Sequence, residues 1–482
     1  IIISGFLNIA QMRITENLQQ RIFVRSALDF TDRIPLINTE ALNNKYAPEL
    51  PNRFFDTITI QKGLSKLILD FAAASLQIIF GLVLLSFYHS FFIFFGLALI
   101  LLLVIVFRIT AERGFRSSLR ESNYKYKIAH WLQQIAYTRF SFKMAGTPSY
   151  LMYRTDQYLV EYLSSRNEHF KILKQQYLYL IGFKAIIAMA LLVIGGVLVI
   201  NQTMNIGQFV AAEIIILLIL SSVEKLIVSL ETVYDLFTAI EKIGQVTDLP
   251  LEGKSGMDIP HSELGFEIDF HNVRYENDLT SQTLLEGATF TIKPNARAIF
   301  HTDNTVSSNL IFGLIAGIYN PKEGSLSINN IPLGNLNRTF LRNRIGNMLT
   351  QDLLVHATVL ENITLGRDYV SFGEVQTLCD RLLLSKQIQH LKEGYDTLLN
   401  PEGHFLAKDC IRKILIARAL VGSPKLILLE EPLQDIKLDE REEILNVILS
   451  PENATILIQS DDELVVQRAT QTININQGLI TH

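Results

Sequence analysis

The chain has 482 residues and a net charge of −5 at pH 7, with 49% hydrophobic and 19% charged residues. That length holds two or three ordinary domains, and the apolar balance excludes an ordinary soluble globule in favour of lipid-facing segments. The mildly acidic charge gives no argument for nucleic acid as a partner. The two cysteines, Cys379 and Cys410, are far apart without metal-ligand spacing and read as reduced cytosolic thiols, so no metal site is expected.

The chain opens on Ile1-Ile2-Ile3, apolar from its first residue and without a signal peptide, which reads as entry partway through a helix. Ile1 to Ala10 is expected to finish a membrane helix, Arg13 to Phe30 continues polar-amphipathic, and Pro35, Pro48 and Pro51 punctuate a turn. Four apolar stretches follow: Leu67 to Phe87, Phe91 to Phe107, Tyr177 to Ile200, and Ile206 to about Leu230. A bilayer core needs about 20 apolar residues in helix, which three of these supply; Phe91 to Phe107 is slightly short but continues as a helix toward Arg108. The short breaks Tyr88-His89-Ser90 and Asn201 to Asn205 make two helical hairpins. Positive charge gathers at the other ends, from Arg108 to Lys127 and at Lys171 and Lys174, so the 108–174 segment is expected in the cytosol. Its few turn signals, Gly146-Thr147-Pro148, predict two long helices meeting there.

The third and fourth spans carry charges. Glu213 and Glu224 lie about three helical turns apart and share a face. Lys184 and Glu224 fall at similar depth, roughly 25 Å from the outer end. These residues read either as a polar transport pathway or as a structural ion pair or snorkelling charges.

Past a polar linker, the pattern changes to short apolar runs separated by helices. Candidate strands are Phe266 to Phe270, Ala296 to Phe300, Ser325 to Ile328, Leu426 to Leu429, Thr455 to Ile458 and Thr472 to Ile475. Strands alternating with helices predict an α/β domain. The expected organisation is a membrane domain over residues 1–245, a linker over 246–265 and an α/β domain over 266–482.

Four segments of this second half carry a family resemblance. GLIAGIYNPKEGSLSINNIPL resembles the stretch after the phosphate loop of ABC ATPases. IGNMLTQDLLVHATVLENITLG resembles the glutamine-loop region of ABC exporters, with Gln351 as its glutamine. IARALVGSPKLILLEEP resembles their helix-to-Walker-B segment, and NQGLI their closing hairpin. The membrane half is similar to the same exporters without their first helix. The resemblance implies a multi-domain membrane protein: an all-α exporter-type transmembrane bundle, first helix missing, followed by an α/β P-loop-NTPase-like ABC domain. It implies ATP and Mg²⁺ as cofactors, the lipid bilayer and a second half-transporter as partners, and a bacterial inner membrane with the ABC domain in the cytoplasm. The narrower likeness is to exporter halves that accompany secretion systems in Bacteroidetes-type bacteria, which adds a periplasmic adaptor to the expected partners.

The departures from the family pattern fall on its chemistry. A phosphate loop needs G-x-x-x-x-G-K-[ST], whose glycines aim backbone N–H groups at phosphate, whose lysine reaches the β- and γ-phosphates and whose hydroxyl binds Mg²⁺. Here the positions hold Thr302, Asp303, Asn304, Thr305, Val306, Ser307, Ser308 and Asn309. The β-branched Thr305 and Val306 resist the positive φ such a nest uses. The signature LSGGQ falls on Leu406, Ala407, Lys408, Asp409 and Cys410. The Walker B aspartate falls on Glu430, the catalytic glutamate is kept as Glu431, and the switch histidine falls on Asp461. The loop after Walker B is Gln434-Asp435-Ile436-Lys437. The adenine-stacking tyrosine falls on Asn277, with Tyr275 near enough that a shift of register would restore stacking.

The resulting site offers Asp303, Asp461, Glu430 and Glu431 without a lysine. ATP carries about four negative charges, and each unscreened like-charge contact near 4 Å costs roughly 1 to 4 kcal/mol. Three functions fit. One is a transporter subunit with little or no hydrolysis of its own. Another is an active exporter half with a divergent ATP site, and a third is a non-transporting scaffold or regulator of a secretion system.

Overall fold

The computed structural model describes residues 2–42, 46–146, 148–253, 255–260, 262–276, 282–302, 305–349, 352–401, 405–476 and 479–481. It divides into two compact units, one of Ile1–Ile37 with Tyr46–Pro250 and one of Asn38–Lys45 with Leu251–His482.

The first unit is helical. Helix α1 (Ile2–Arg33) is followed by short 3-10 pieces, the longest Ala47–Phe55, and by α2 (Asp56–Lys66). A wide π-type turn at Leu67–Phe71 joins α2 to α3 (Ala72–Ser86). Then come α4 (Phe91–Tyr137), α5 (Arg139–Ala145), α6 (Pro148–Ile200), α7 (Ile206–Val228) and α8 (Leu230–Thr247). The stretches Ala47–Ser86, Phe91–Tyr137, Pro148–Ile200 and Ile206–Thr247 are long and apolar enough to cross a membrane, and they contain the four predicted spans. Both hairpin breaks fall where predicted. At the second, Asn205 and Gln208 form a reciprocal capping box at the start of α7. At the other end, Gly146 takes φ +60° after α5, and Pro148 opens α6, where its missing N–H costs nothing. Thr147 lies outside the described residues.

The bundle packs through Ile78, Leu85, Leu99, Leu180, Ile216 and Val223. A Cβ at Gly81 would come within 2.7 Å of Ile219, so α3 and α7 approach at a distance that requires a glycine. Lys184 on α6 donates to Glu224 on α7, joining the two charges placed at matching depth. Glu213 is half-buried on α7.

The second unit is α/β. Its strands are β1 (Ile268–Glu276), β2 (Thr283–Ile292), β3 (Arg297–Thr302), β4 (Glu323–Ile328), β5 (Ile331–Pro332), β6 (Ile345–Met348), β7 (Leu426–Glu430), β8 (Thr455–Gln459), β9 (Gln471–Asn476) and β10 (Leu479–Thr481). Its helices are α9 (Thr305–Ile315), α10 (Arg338–Arg342), α11 (Val359–Thr364), α12 (Phe372–Arg381), α13 (Ser385–Gln389), α14 (Lys408–Leu420), α15 (Arg441–Ile448) and α16 (Glu463–Gln467). An antiparallel sheet has the order β2-β1-β4-β5. A six-stranded sheet has the order β10-β9-β3-β8-β7-β6, parallel except for the β10–β9 hairpin.

All six predicted strands are present. The four unpredicted ones are short or broken in pattern: β6 spans four residues, and β2 is interrupted by Glu286-Gly287, where Gly287 takes φ +65°. Strands β7 and β8 are buried at every position, as parallel strands covered on both faces must be. The residues expected to be a linker fold onto this unit from Glu252, which takes a bidentate ion pair from Arg342 at 2.5 and 3.1 Å. Asn320 bridges Arg338, at 2.6 Å, to Glu40 of the Asn38–Lys45 segment, at 3.4 Å.

Candidate nucleotide site

In an open parallel sheet the ligand crevice lies outside the carboxyl ends of the strands. Strand β8 runs between β3 and β7, and Gln459 is level with Phe300 on one side and Glu430 on the other. The next residues of the three strands, His301, Ser460 and Asp461, and Glu431, therefore meet at one rim. Helix α9 begins at Thr305, inside the segment aligned with the phosphate loop, so the second half of that segment is helical. The start of a helix is itself a feature that favours an anion. Asp303, Asn304 and Gln351 lie outside the described residues, as do the side chains of Thr302, Ser307 and Ser308.

The acids at this rim are engaged by their own chain. Glu430 is 2% exposed. The Asn309 carboxamide lies against it, and with its nitrogen facing the acid it donates to the two carboxylate oxygens at 2.9 and 2.5 Å. Glu431 sits at φ +44°, and its N–H donates to the Gln459 carbonyl at 2.8 Å. Its carboxylate accepts from Ser460 Oγ at 2.9 Å and Gln459 Nε2 at 3.4 Å. Burial pushes the Glu431 carboxyl above its ordinary range, against the opposing pull of the Ser460 hydrogen bond. Asp461, at the switch position, contacts His301 Nδ1 at 2.8 Å.

His301 is the residue that sequence reading missed. The charge tally counts four acids without a cation, but the β3–β8 register sets this histidine beside Asp461, where its protonated form offsets one of them. The pairing of two predicted parallel strands was the signal that would have found it. Tyr275 does not restore adenine stacking: it is 6% exposed and packs against Tyr319, ring centroids 5.8 Å apart. Asn277 is outside the described residues.

The signature positions gather elsewhere in the unit. Ala407 caps α14 without a side-chain hydrogen bond, and Lys408 opens the helix. Asp409, in its first turn, accepts from Gln387 at 2.7 Å and lies 3.9 Å from the fully buried Lys413, which pairs with Glu440 at 2.6 Å. An acid at a helix N-terminus stabilises the helix but opposes an incoming phosphate. Cys410 is buried and its thiol is pushed up to about 11, so it is unreactive. In the loop after β7, Arg412 holds Gln434 at 3.0 Å and Asp435 at 3.7 Å, and Ile436 is buried. Next to the Gln351 position, Asp352 accepts from the Leu349 N–H at 2.8 Å and from Asn347 at 2.9 Å.

Known proteins share this chain's fold and part of its sequence pattern. The ABC transporter family matches residues 285–434. The alpha-hemolysin translocation ATP-binding protein HlyB of Escherichia coli O157:H7 is 27% identical over 289 residues, 60% of this chain and 41% of that protein. The uncharacterized ABC transporter ATP-binding protein YfiB of Bacillus subtilis is 27% identical over 239 residues, 49% of this chain and 41% of that protein. The chain thus spans 41% of the length of these relatives. A solved bacterial Atm1-family ABC exporter with ATP bound has the same fold: the TM-score is 0.83, covering 100% of this chain and 84% of that one, at 16% identity. The chain therefore has the fold of an ABC exporter half-transporter, a helical unit of membrane-crossing length followed by an α/β unit of which residues 285–434 match the ABC transporter family.

Proposed function

We propose that this chain is one half of a dimeric exporter that moves a substrate out of the cytoplasm with little or no ATP hydrolysis of its own. The carrying observation is the Asn309–Glu430 contact at the position where the family holds Mg²⁺. Mg²⁺ requires near-octahedral oxygen ligands at 2.0–2.1 Å. Here the hydroxyl ligand is replaced by a carboxamide whose nitrogen satisfies the acid, so the donor set fits the metal poorly. Glu431, the catalytic acid of the resemblance, is tied to Ser460 and Gln459, and Asp461 faces His301 rather than a γ-phosphate. The signature helix adds Asp409 where a partner's phosphate would dock. This half therefore offers a poor phosphate loop and a poor signature together, and an intact partner would not complete a normal site with it.

The four apolar stretches fit the lipid bilayer, and the basic residues between the second and third fit a cytoplasmic ABC domain in a bacterial inner membrane. We extend the names of the haemolysin-translocating relatives to this chain only as a direction: a secreted cargo and a periplasmic adaptor. Equilibrium binding of labelled ATP to the purified chain, with an intact exporter as control, tests the reading. Saturable binding is expected only weaker than about 1 mM, near −4 kcal/mol. Micromolar affinity overturns it in favour of an active half using the α9 N-terminus. Substrate movement in reconstituted vesicles separates the subunit from a scaffold.

A further inference from the structure

The helical unit holds a basic pocket outside its apolar stretches, where the short 3-10 segment Ala47–Phe55 and the start of α2 meet α4 and α8. Tyr126 is at its centre. Around that ring stand Arg53, with its guanidinium carbon 3.6 Å from the centroid, Lys125 at 5.5 Å and Lys242 at 5.6 Å. Lys242 is 1% exposed, and its one hydrogen bond among the described residues goes to Asn123 Oδ1. An ammonium has three donors, so two of them remain beyond that bond in a buried place.

The nearby acids are shared among several groups. Asp56, the one buried carboxylate of this unit among the described residues, accepts the Tyr126 hydroxyl at 2.5 Å, and its single charge is divided among Arg53, Lys125 and Lys242. Glu49 is held by His130, Lys127 reaches Glu161 at 3.9 Å, and Glu241, beside Lys242 in the chain, is exposed. A buried cation is costly unless charge and hydrogen bonds meet it. Beside the cluster lies a cavity of about 300 Å³ lined by Arg53, Asn123, Tyr126, Lys127, His130 and Tyr158, with one acid, Glu49, which His130 holds.

We propose that this pocket binds the phosphate group of a cytosolic anion, with Arg53 and Lys127 at the cavity wall and Lys242 and Lys125 supplying positive charge from behind. A phosphate brings two charges and several acceptor oxygens, and a guanidinium matches them in a fork. About 20 Å of helix separates Arg53 from the first apolar stretch at Leu67, so a lipid headgroup does not reach the pocket. A bound anion would tie the Ala47–Phe55 segment, α4 and α8 together. The site does not depend on the reading of the nucleotide rim.

The test is thermal unfolding of the full chain in detergent, titrated with inorganic phosphate or with a sugar phosphate against chloride of matched ionic strength. A saturable, phosphate-specific rise of about 2–4 °C is expected in the native chain, and its loss is expected in Arg53→Gln and in Lys242→Met. The stronger of the two titrants identifies whether the free ion or the ester is preferred. If Lys242→Met does not fold, Arg53→Gln carries the test alone. No rise beyond chloride, or an equal rise in the variants, overturns the proposal.

Discussion

Strand β7 is buried at all five positions from Leu426 to Glu430, and β8 at all five from Thr455 to Gln459. One or two residues further on, the same strands deliver Glu431, Ser460 and Asp461 to a rim where, on the function proposed above, contacts within the chain take the place of the family's phosphate chemistry. The same sheet is intact in its middle and altered at its end. Strand burial asks only for apolar side chains of suitable shape, and many sequences satisfy it. Phosphate chemistry asks for a lysine, a hydroxyl and glycines at fixed points, and losing any of them leaves the sheet untouched. On that proposal, fold and activity separate within a span of two residues.

The largest effect that sharpens this contrast is in the middle of the sheet. Leu428 is fully buried on β7. Leu428→Ala removes apolar contacts and leaves a cavity, at about 2–5 kcal/mol. Asp461→Ala, at the exposed rim with His301 as partner, is expected to cost under about 1 kcal/mol. Denaturant unfolding of the purified chain measures both. Comparable losses would mean that the rim holds the sheet together and that the two regions are not independent.

What the sequence made legible follows the same division. The spans and the central strands could be read because long apolar runs and buried parallel strands are continuous signals. Lys184 and Glu224 were placed at matching depth by counting rise per residue, and they meet. The rim was half legible. Substitutions at Asn309, Glu430 and Asp461 could be located by alignment with the family pattern. Their new partners could not, because Asn309 belongs to a helix and Glu430 to a strand more than a hundred residues later, and only the closed sheet brings them together. His301 was invisible for the same reason: a residue at the end of one strand acquires meaning only from its neighbour's register. Tyr275 misled because its nearness in sequence says nothing of its burial against Tyr319.

A second comparison concerns how acids are neutralised. At the rim, Glu430 and Glu431 are met by neutral donors among the contacts described above. In the helical unit, Glu224 is met by the Lys184 ammonium. Each charge alone is costly in lipid, about 2.5–3.5 kcal/mol on insertion scales. Lys184→Met and Glu224→Gln should therefore each lower stability in nanodiscs, by about 2 kcal/mol, and the double variant should recover part of the loss. Thermal unfolding of the four proteins closes the cycle. Additive losses would mean that the two residues do not depend on one another, and Glu224 would then join Glu213 as a candidate for the transport path.

The smallest expected effect tests whether neutral donors suffice at Glu431. Burial raises its folded-state pKa, while the Ser460 hydroxyl and the Asp461 N–H pull it down, and the charges of Asp461 and Asp462 push it up again. A carboxyl with a raised folded pKa favours folding when protonated. Its contribution is complete below the unfolded-state value and is lost as pH rises through the folded one. Glu431→Gln keeps the shape and an acceptor for Ser460 but cannot ionise. The variant should match the native chain in acid and become the more stable of the two as pH climbs past the ordinary glutamate range. The gap should then level off at about 1–2 °C in Tm. Taking the difference between the two proteins at each pH cancels the titration of groups they share. A gap that closes or reverses with rising pH would mean that Ser460 and Gln459 overcome burial. Glu431 would then be held as a stable carboxylate at the rim, poised as the family's catalytic acid is.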